Sequence, residues 1–458
     1  MTSSSKRHAT FAASLALALI AALTTTIGGV GAGAAVPAAA KKIQIVDQGF
    51  RYVEGASPSD VSAAFILRNP TKLVAVNIRW KATFKDSAGK VLDSVEGETS
   101  YLYPGEEGVV GGSDLTGVRL EHEPAQMNVK VREVLEWLRP GDPGTFGPPD
   151  LGIDHDQLLS FADFRVVQSQ FAVTVVGSVT NESDNLLAGY PFVVAVTCAL
   201  ISDGEIVGGV HDQLEYLAPS TPVAFLEPTL EGASADEFRC SPDGPDEYQI
   251  VGADNPQDLL TVTDVQVNST VNGTRVTAAG VVTNTSDQIA VGVNAKFDLL
   301  DANGRIIGHT FDKYEIPYLL PGEQIIIGNG SLSQWIDGSP TSANGYAAAS
   351  DFMTTAELRE SAGVNAKAPS PLSVSDARLD AGDSSTATAV GTVTNTSAKA
   401  LRLFVYCELR RGGRPLGSIG EPFVEIAAKG TVEFEAIEPE LSVQDVAGAE
   451  LRCTAFVS

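Results

Sequence analysis

Apolar and polar residues alternate along much of the chain, as in "TRVTAAGVVTN" (Thr274 to Asn284) and "VGVNAKFDLLD" (Val291 to Asp301). A period of two predicts half-buried β-strands rather than amphipathic helices. The runs break at turns, and the turns recur. "GVVTNTSD" (Gly280 to Asp287) returns as "GSVTNESD" (Gly177 to Asp184) and "GTVTNTSA" (Gly391 to Ala398), and more loosely as "FILRNPTK" (Phe65 to Lys72). The turn asparagines Asn69, Asn181, Asn284 and Asn395 are separated by 112, 103 and 111 residues. Such a period is too long for a solenoid repeat and suits one small β-sandwich per copy.

Two further landmarks keep step with the asparagines. A glycine turn follows 18 to 23 residues downstream, ending at Gly89, Gly204, Gly304 and Gly413. A second turn follows at "YLYPGE" (Tyr101 to Glu106), "YLAPS" (Tyr216 to Ser220), "YLLPGE" (Tyr318 to Glu323) and, in the fourth copy, "AAKG" (Ala427 to Gly430). Pro then Gly suits the centre of a type II turn, since proline presets φ and glycine accepts the positive φ that follows. Each copy thus reads as strand, Asn turn, strand, Gly turn, strand, Pro-Gly turn, strand. Short helices are expected at "MNVKVREVLEWL" (Met127 to Leu138) and "TTAELRES" (Thr354 to Ser361).

The expected fold is all-β: four tandem immunoglobulin-like β-sandwich domains at 41–143, 157–247, 257–362 and 370–458, after a signal peptide at 1–40. In that leader, Lys6 and Arg7 precede an apolar segment from Phe11 to about Leu23, then small residues with "AGA" (Ala32 to Ala34) and "AAA" (Ala38 to Ala40). The apolar run is shorter than the ~20 residues of a membrane-spanning helix, which favours cleavage over an uncleaved signal anchor. Joints rich in Pro, Gly and acid separate the copies, as in "RPGDPGTFGPPDLGIDHD" (Arg139 to Asp156).

The third copy carries "FDLLD" (Phe297 to Asp301) before the Asn303-Gly304 turn. A Phe-x-Leu-x-Asp strand between a Gly-x-Val-x-Asn turn and a Gly turn resembles the FxLYD domain, an immunoglobulin-like module of exported bacterial and archaeal proteins. Copies two and four hold Cys198 and Cys407 at the Phe297 position and Ser202 and Arg411 at the Asp301 position; copy one has Ala82, and Phe65 in place of the turn glycine. The resemblance implies a fold and an extracellular setting, and no established chemistry.

Charge and cysteines support export. With Lys6 and Arg7 set aside, 57 acidic residues face 29 basic ones, a surface that repels nucleic acid and anionic lipid. Cys198 and Cys240 share copy two, and Cys407 and Cys453 share copy four, at matching distances from their turn asparagines. Pairing within copies is expected, as disulfides. A zinc site built from all four is the alternative, disfavoured because no Cys-x-x-Cys hook exists.

Catalytic motifs are not evident. His8 belongs to the leader, and His122, His155, His211 and His309 are far apart; no nucleophile elbow, His-Glu-x-x-His helix or phosphate loop occurs. Asp154, Asp156, Asp243, Asp246 and Glu247 at the joints read as solvated linker acids, with weak Ca²⁺ binding as the alternative. Tyr101, Tyr216 and Tyr318 read as structural tyrosines rather than a sugar-stacking platform. The asparagine words also match a glycosylation sequon, but their fixed place between strands argues for a backbone turn.

The expectation is a secreted, non-enzymatic protein without cofactors, acting in extracellular binding, adhesion or spacing toward an unidentified extracellular or cell-envelope ligand. A calcium-stiffened adhesive rod and a secreted hydrolase are the alternatives. No lipobox cysteine follows the leader, and the chain ends in its last strand, so no stable membrane anchor is expected and wall association would be noncovalent.

Overall fold

The computed structural model describes residues 43–457, apart from 55–60, 116–117, 119, 121, 141–157, 169–172, 184–185, 189–193, 215, 218–219, 231, 244–249, 252–258, 270–274, 311–314, 333–335, 363–369, 381–385, 439–440 and 443. The expected leader and the acids Asp154, Asp156, Asp246 and Glu247 lie outside the described residues, as does His155. Residues 42–458 form one compact unit.

Copy one contains β1 (Gln44–Tyr52), β2 (Val61–Arg68), β3 (Val74–Lys85), β4 (Val91–Leu102), β5 (Glu107–Gly111) and β6 (Gln126–Leu138). Copy two contains β7 (Leu159–Gln168), β8 (Val173–Asn181), β9 (Leu186–Ala188), β10 (Val194–Ser202), β11 (Glu205–Leu214), β12 (Tyr216–Leu217), β13 (Pro222–Thr229), β14 (Glu237–Asp243) and β15 (Ile250–Val251). Copy three contains β16 (Leu260–Ser269), β17 (Arg275–Asn284), β18 (Ile289–Leu300), β19 (Ile306–His309), β20 (Ile316–Leu319), β21 (Gln324–Leu332), β22 (Ser342–Met353) and the helix α1 (Thr355–Ala362). Copy four contains β23 (Leu372–Asp380), β24 (Ala387–Asn395), β25 (Leu401–Arg411), β26 (Arg414–Ile426), β27 (Thr431–Glu438) and β28 (Glu450–Val457).

One antiparallel plan serves all four. A trailing sheet takes the orders β1-β2-β5, β7-β8-β13, β16-β17-β21 and β23-β24-β27. A leading sheet takes the orders β4-β3-β6, β11-β10-β14, β19-β18-β22 and β26-β25-β28, with β20 also on β18 and a small β12-β9-β15 sheet in copy two. Between the two sheets of each copy lies an apolar core, built around Phe65, Trp80 and Phe84 in copy one, Phe225 in copy two, Phe297 in copy three and Phe434 in copy four. Alternation explains this burial: in β17, Ala278 and Val282 enter the core while Ala279 and Val281 point the other way.

The glycine of the repeated phrase has a packing reason. In copies two to four the first strand carries a bulge, at Ala162/Arg165, Thr263/Gln266 and Ser375/Arg378, which faces Gly177, Gly280 and Gly391. Asp163, Asp264 and Asp376 take left-handed φ values of 58°, 52° and 54° there, a conformation that aspartate tolerates better than most residues. A Cβ on Gly177 would lie 2.5 Å from the Phe164 ring that the bulge turns inward. Copy one departs for the same reason: its register shift falls earlier, between Ile45 and Asp47, so Phe65 faces ordinary strand and fills the core itself against Trp80.

The helix expected at 127–138 is strand β6. Met127, Val129 and Val131 alternate on the β3 ladder, and the register then slips between Arg79 and Trp80, opposite Arg132. That slip displaces the later apolar residues by one, so Met127, Val131, Val134 and Leu138 mimic a helical period. The helix at Thr355–Ala362 does form, with Thr354 capping through Glu357.

Candidate functional site

Three joints, where consecutive copies dock, hold most of the buried titratable side chains among the described residues. Across each, the trailing sheet of one copy packs face to face on the leading sheet of the next. Ala64, Ile66 and Val109 meet Ala199, Ile201 and Ile206 at the first joint. At the third, Phe404, Tyr406 and Phe456 of copy four join the cluster of copy three, and the Tyr318 and Phe456 rings meet edge-on.

The register of docking repeats. Val109, Ala224 and Ile326 each stand one residue before the strand partner of Phe65, Gly177 and Gly280. The backbone N–H of each donates to the following copy: Val109 to Ser241 Oγ at 2.8 Å, Ala224 to Asp298 Oδ2 at 3.1 Å, and Ile326 to the Glu408 carboxylate. Asp298 and Glu408 are equivalent residues, one after Phe297 and Cys407. Copy two has Ala199 there, and Ser241 on the neighbouring strand supplies the acceptor instead.

Backbones approach closely where glycine allows it. Ser418 Oγ accepts from the Gly328 N–H at 3.2 Å and donates to its carbonyl at 3.1 Å, while a Cβ on Gly328 would lie 2.5 Å from Gly417 Cα. At the first joint, Ser62 Oγ makes the same pair of bonds to Gly209, each at 3.0 Å.

The two outermost faces differ. Copy one presents Thr83 with Arg79 and Lys81, which pair with Glu98 and Glu96 at 2.9 and 2.7 Å, and Asp93 where later copies have Gly208, Gly308 and Gly417. Copy four presents Glu433 and Glu435, at the positions of Ile326 and Gly328.

The second joint concentrates titratable groups. Asp298 is 1% exposed, and burial pushes its carboxyl up to about 7 despite Lys296 nearby. Glu227 on β13 is raised to about 8 by burial and by Asp212. Asp212 accepts the Leu226 N–H at 3.0 Å, and Tyr346 Oη reaches Asp298 Oδ1 at 3.5 Å. His309 is fully enclosed, hydrogen-bonds the Ala224 backbone, and burial drives it well below the usual histidine range. His211, bonded to Thr197 Oγ1 at 2.9 Å, sits at the first joint and is lowered for the same reason. At the third joint, burial raises Glu408 against the pull of Arg452 and Arg410.

The residues singled out from sequence divide clearly. Cys198–Cys240 and Cys407–Cys453 are disulfides, each joining residues directly opposed on adjacent strands. In copy three the same site holds Phe297 opposite Gly345. Loops of this length give a chain-entropy stabilisation of about 4 kcal/mol. Reducing both bridges is expected to cost copies two and four about 3 kcal/mol each while copies one and three hold, as read by denaturant unfolding with hydrogen exchange.

Asn69, Asn181, Asn284 and Asn395 are all 0% exposed. Each side-chain amide donates to a carbonyl of the strand beyond, from Leu102, Leu217, Leu319 and Ala427, and each Oδ1 accepts the N–H two residues ahead. Tyr101 is buried with Val74, Val76 and Leu138. His122 is exposed and apart from the other described histidines.

Among the described residues, no three His, Cys, Asp or Glu side chains converge as a metal site, and no helix is long and apolar enough to cross a membrane. A groove of about 410 Å³ opens beside the first joint, lined by Asp47, Gln48, Gln126 and Glu205 among others.

Sequence reasoning found the linkers between copies but missed their docked faces, though a signal existed. Strands β2, β8 and β17 are buried along nearly their whole length, whereas β24 alternates. The run "SAAFIL" against the alternating "TAVGTVTN" records the difference between a sheet covered on both faces and one covered on one.

Compared with known proteins, the chain matches no family model and no curated relative.

Proposed function

We propose that the chain is an exported, non-enzymatic protein of four tandem immunoglobulin-like β-sandwiches of the FxLYD type, and that it works as a spacer holding its two ends apart outside the cell. The repeated docking register carries this reading: three joints use the same backbone donor and the same two faces, so the copies behave as one stack rather than beads on a string. The disulfides and the acidic surface suit an oxidising, extracellular setting. Binding or adhesion at the outermost faces is compatible with spacing and follows from it.

Eight sheets layered at about 10 Å give a stack of roughly 80 Å. X-ray scattering from the secreted chain tests the idea. A maximum dimension of at least about 80 Å, unchanged between low and high salt, supports a spacer. A compact particle with a radius of gyration near ~22 Å, or a dimension that grows with salt, refutes it.

A further inference from the structure

We infer that the groove beside the first joint is a binding site for a guanidinium group, the head of an arginine side chain, brought by a ligand from outside the chain. The second joint shows what such a space accepts. There the Arg165 side chain of copy two lies between the bulge of its own first strand and the glycine turn of copy three, with Nη1 donating to the Asp163 carbonyl at 2.9 Å and Nη2 to the Ile306 carbonyl at 3.1 Å. Its Nε pairs with Asp337 of copy three. An arginine thus plugs the edge of that joint from within the chain.

At the first joint that arginine is missing. Phe65 and Gly177 hold the same place in the repeated phrase, and the residues before them, Ala64 and Val176, pair with Gly49 and Arg165. Gly49 is therefore the counterpart of Arg165, and the turn from Gly204 to Ile206 is the counterpart of the turn from Gly304 to Ile306. Gly49 approaches Ile206 so closely that a Cβ would fall 1.9 Å from its carbonyl oxygen, so no side chain can enter the joint from that position. Arg51, further along the same strand, reaches Gly232 instead, where a Cβ would lie 2.6 Å from Nη2.

What remains is the groove of about 410 Å³, a volume within the range of small-ligand sites. Its described lining includes Asp47 from copy one and Glu205 from copy two, and no basic side chain. Gln48 is committed elsewhere: its amide donates to the Met127 carbonyl at 2.7 Å and accepts the Val129 N–H at 3.0 Å, closing the seam between the two sheets of copy one. Asp47 Oδ1 accepts the Gln48 N–H at 2.8 Å, which fixes that carboxylate and leaves Oδ2 for a ligand. Glu205 is exposed at the mouth, beside the exposed Gln126.

Two carboxylates on opposite walls, with no cation in the described lining, attract a positive group. A planar fork of N–H donors can serve both carboxylates at once, whereas an ammonium group acts as a single point. A metal ion is the poorer fit, because no three His, Cys, Asp or Glu side chains converge among the described residues. The site stands whether or not the stack acts as a spacer.

Titration of the full chain with N-acetylarginine amide tests the assignment, read by NMR at the Gly49, Gly204 and Ile206 amides. Their shifts are expected to saturate with a midpoint below about 10 mM, while Gly304 and Ile306, where Arg165 already fills the space, stay unmoved. The citrulline analogue, equal in shape but uncharged, should bind at least about three-fold more weakly, and so should the arginine compound to the isosteric double variant Asp47→Asn/Glu205→Gln. A blocked Gly-Arg-Gly tripeptide and free arginine then separate the two sources of the group: tighter binding of the tripeptide assigns the site to a peptide ligand, and equal binding assigns it to the amino acid. Shifts that do not saturate, equal binding of the citrulline analogue, or undiminished binding to the double variant overturns the inference. Because the comparison of arginine with citrulline uses the native chain, a variant that failed to fold would leave the test decisive.

Discussion

Asn284→Ala is expected to lower the stability of copy three by about 3 kcal/mol, enough to unfold it before its neighbours. Nδ2 of Asn284 donates to the carbonyls of Leu319 and Gln288, each at 2.8 Å, while Oδ1 accepts from the N–H and hydroxyl of Ser286 at 3.1 and 2.7 Å. Alanine leaves the buried Leu319 carbonyl without this donor and the Ser286 N–H without its acceptor, while the Gln288 carbonyl keeps Ser286 Oγ at 2.9 Å. Each orphaned buried group costs about 1–3 kcal/mol. Asn284→Asp is nearly as damaging, since a carboxylate cannot donate to either carbonyl. Denaturant unfolding monitored by exchange in copy three against copy one checks both, and a loss under 2 kcal/mol would show that the turn is held by its strands alone. The same burial bears on the sequon: a nitrogen committed to two internal carbonyls has no room for a glycan in the folded chain.

Gly328→Val is expected to break the third joint at a cost of about 3 kcal/mol or more, while leaving the core of copy three intact. The new Cβ would meet Gly417 Cα at 2.5 Å, and both partners are backbone, which cannot rotate away. Relief requires the two sheets to part, which also removes the bond from Tyr406 Oη to the Ile326 carbonyl at 2.9 Å. Scattering should show a longer and more variable particle, and the Ile326 amide should lose protection. Glu435→Val at the equivalent place in copy four is the control, expected to stay within about 0.5 kcal/mol because nothing docks there. Equal effects at both positions would refute the role assigned to the joint.

Much of the fold could be read from residue patterns because its turns are chemically demanding. The asparagines, the glycine turns and the Pro-Gly turns each need one residue type for a backbone reason, so they recur visibly. The first strand of copies two to four escaped notice, since its marker is a single aspartate at a bulge whose φ no pattern of hydrophobicity reports. Strand β6 was misread because its register slip imitates a helical period. The docked faces were invisible for a different reason: contacts between copies appear only as strands that fail to alternate, and Ala224 meets Asp298 across 74 residues of sequence. Phe65 looked like a defect in the repeat until the earlier bulge of copy one accounted for it.

A docking surface used three times in one direction has no intrinsic reason to stop at four. Molecules built on such head-to-tail contacts would grow into filaments if the first and last faces matched as the inner ones do. Asp93 in place of a joint glycine, the paired charges around Arg79 and Lys81, and Glu433 and Glu435 at the far end remove that match. The two outermost faces of the four copies thereby carry charge where the inner faces carry small or apolar residues, so the contact that repeats inside the stack has no matching pair of surfaces outside it.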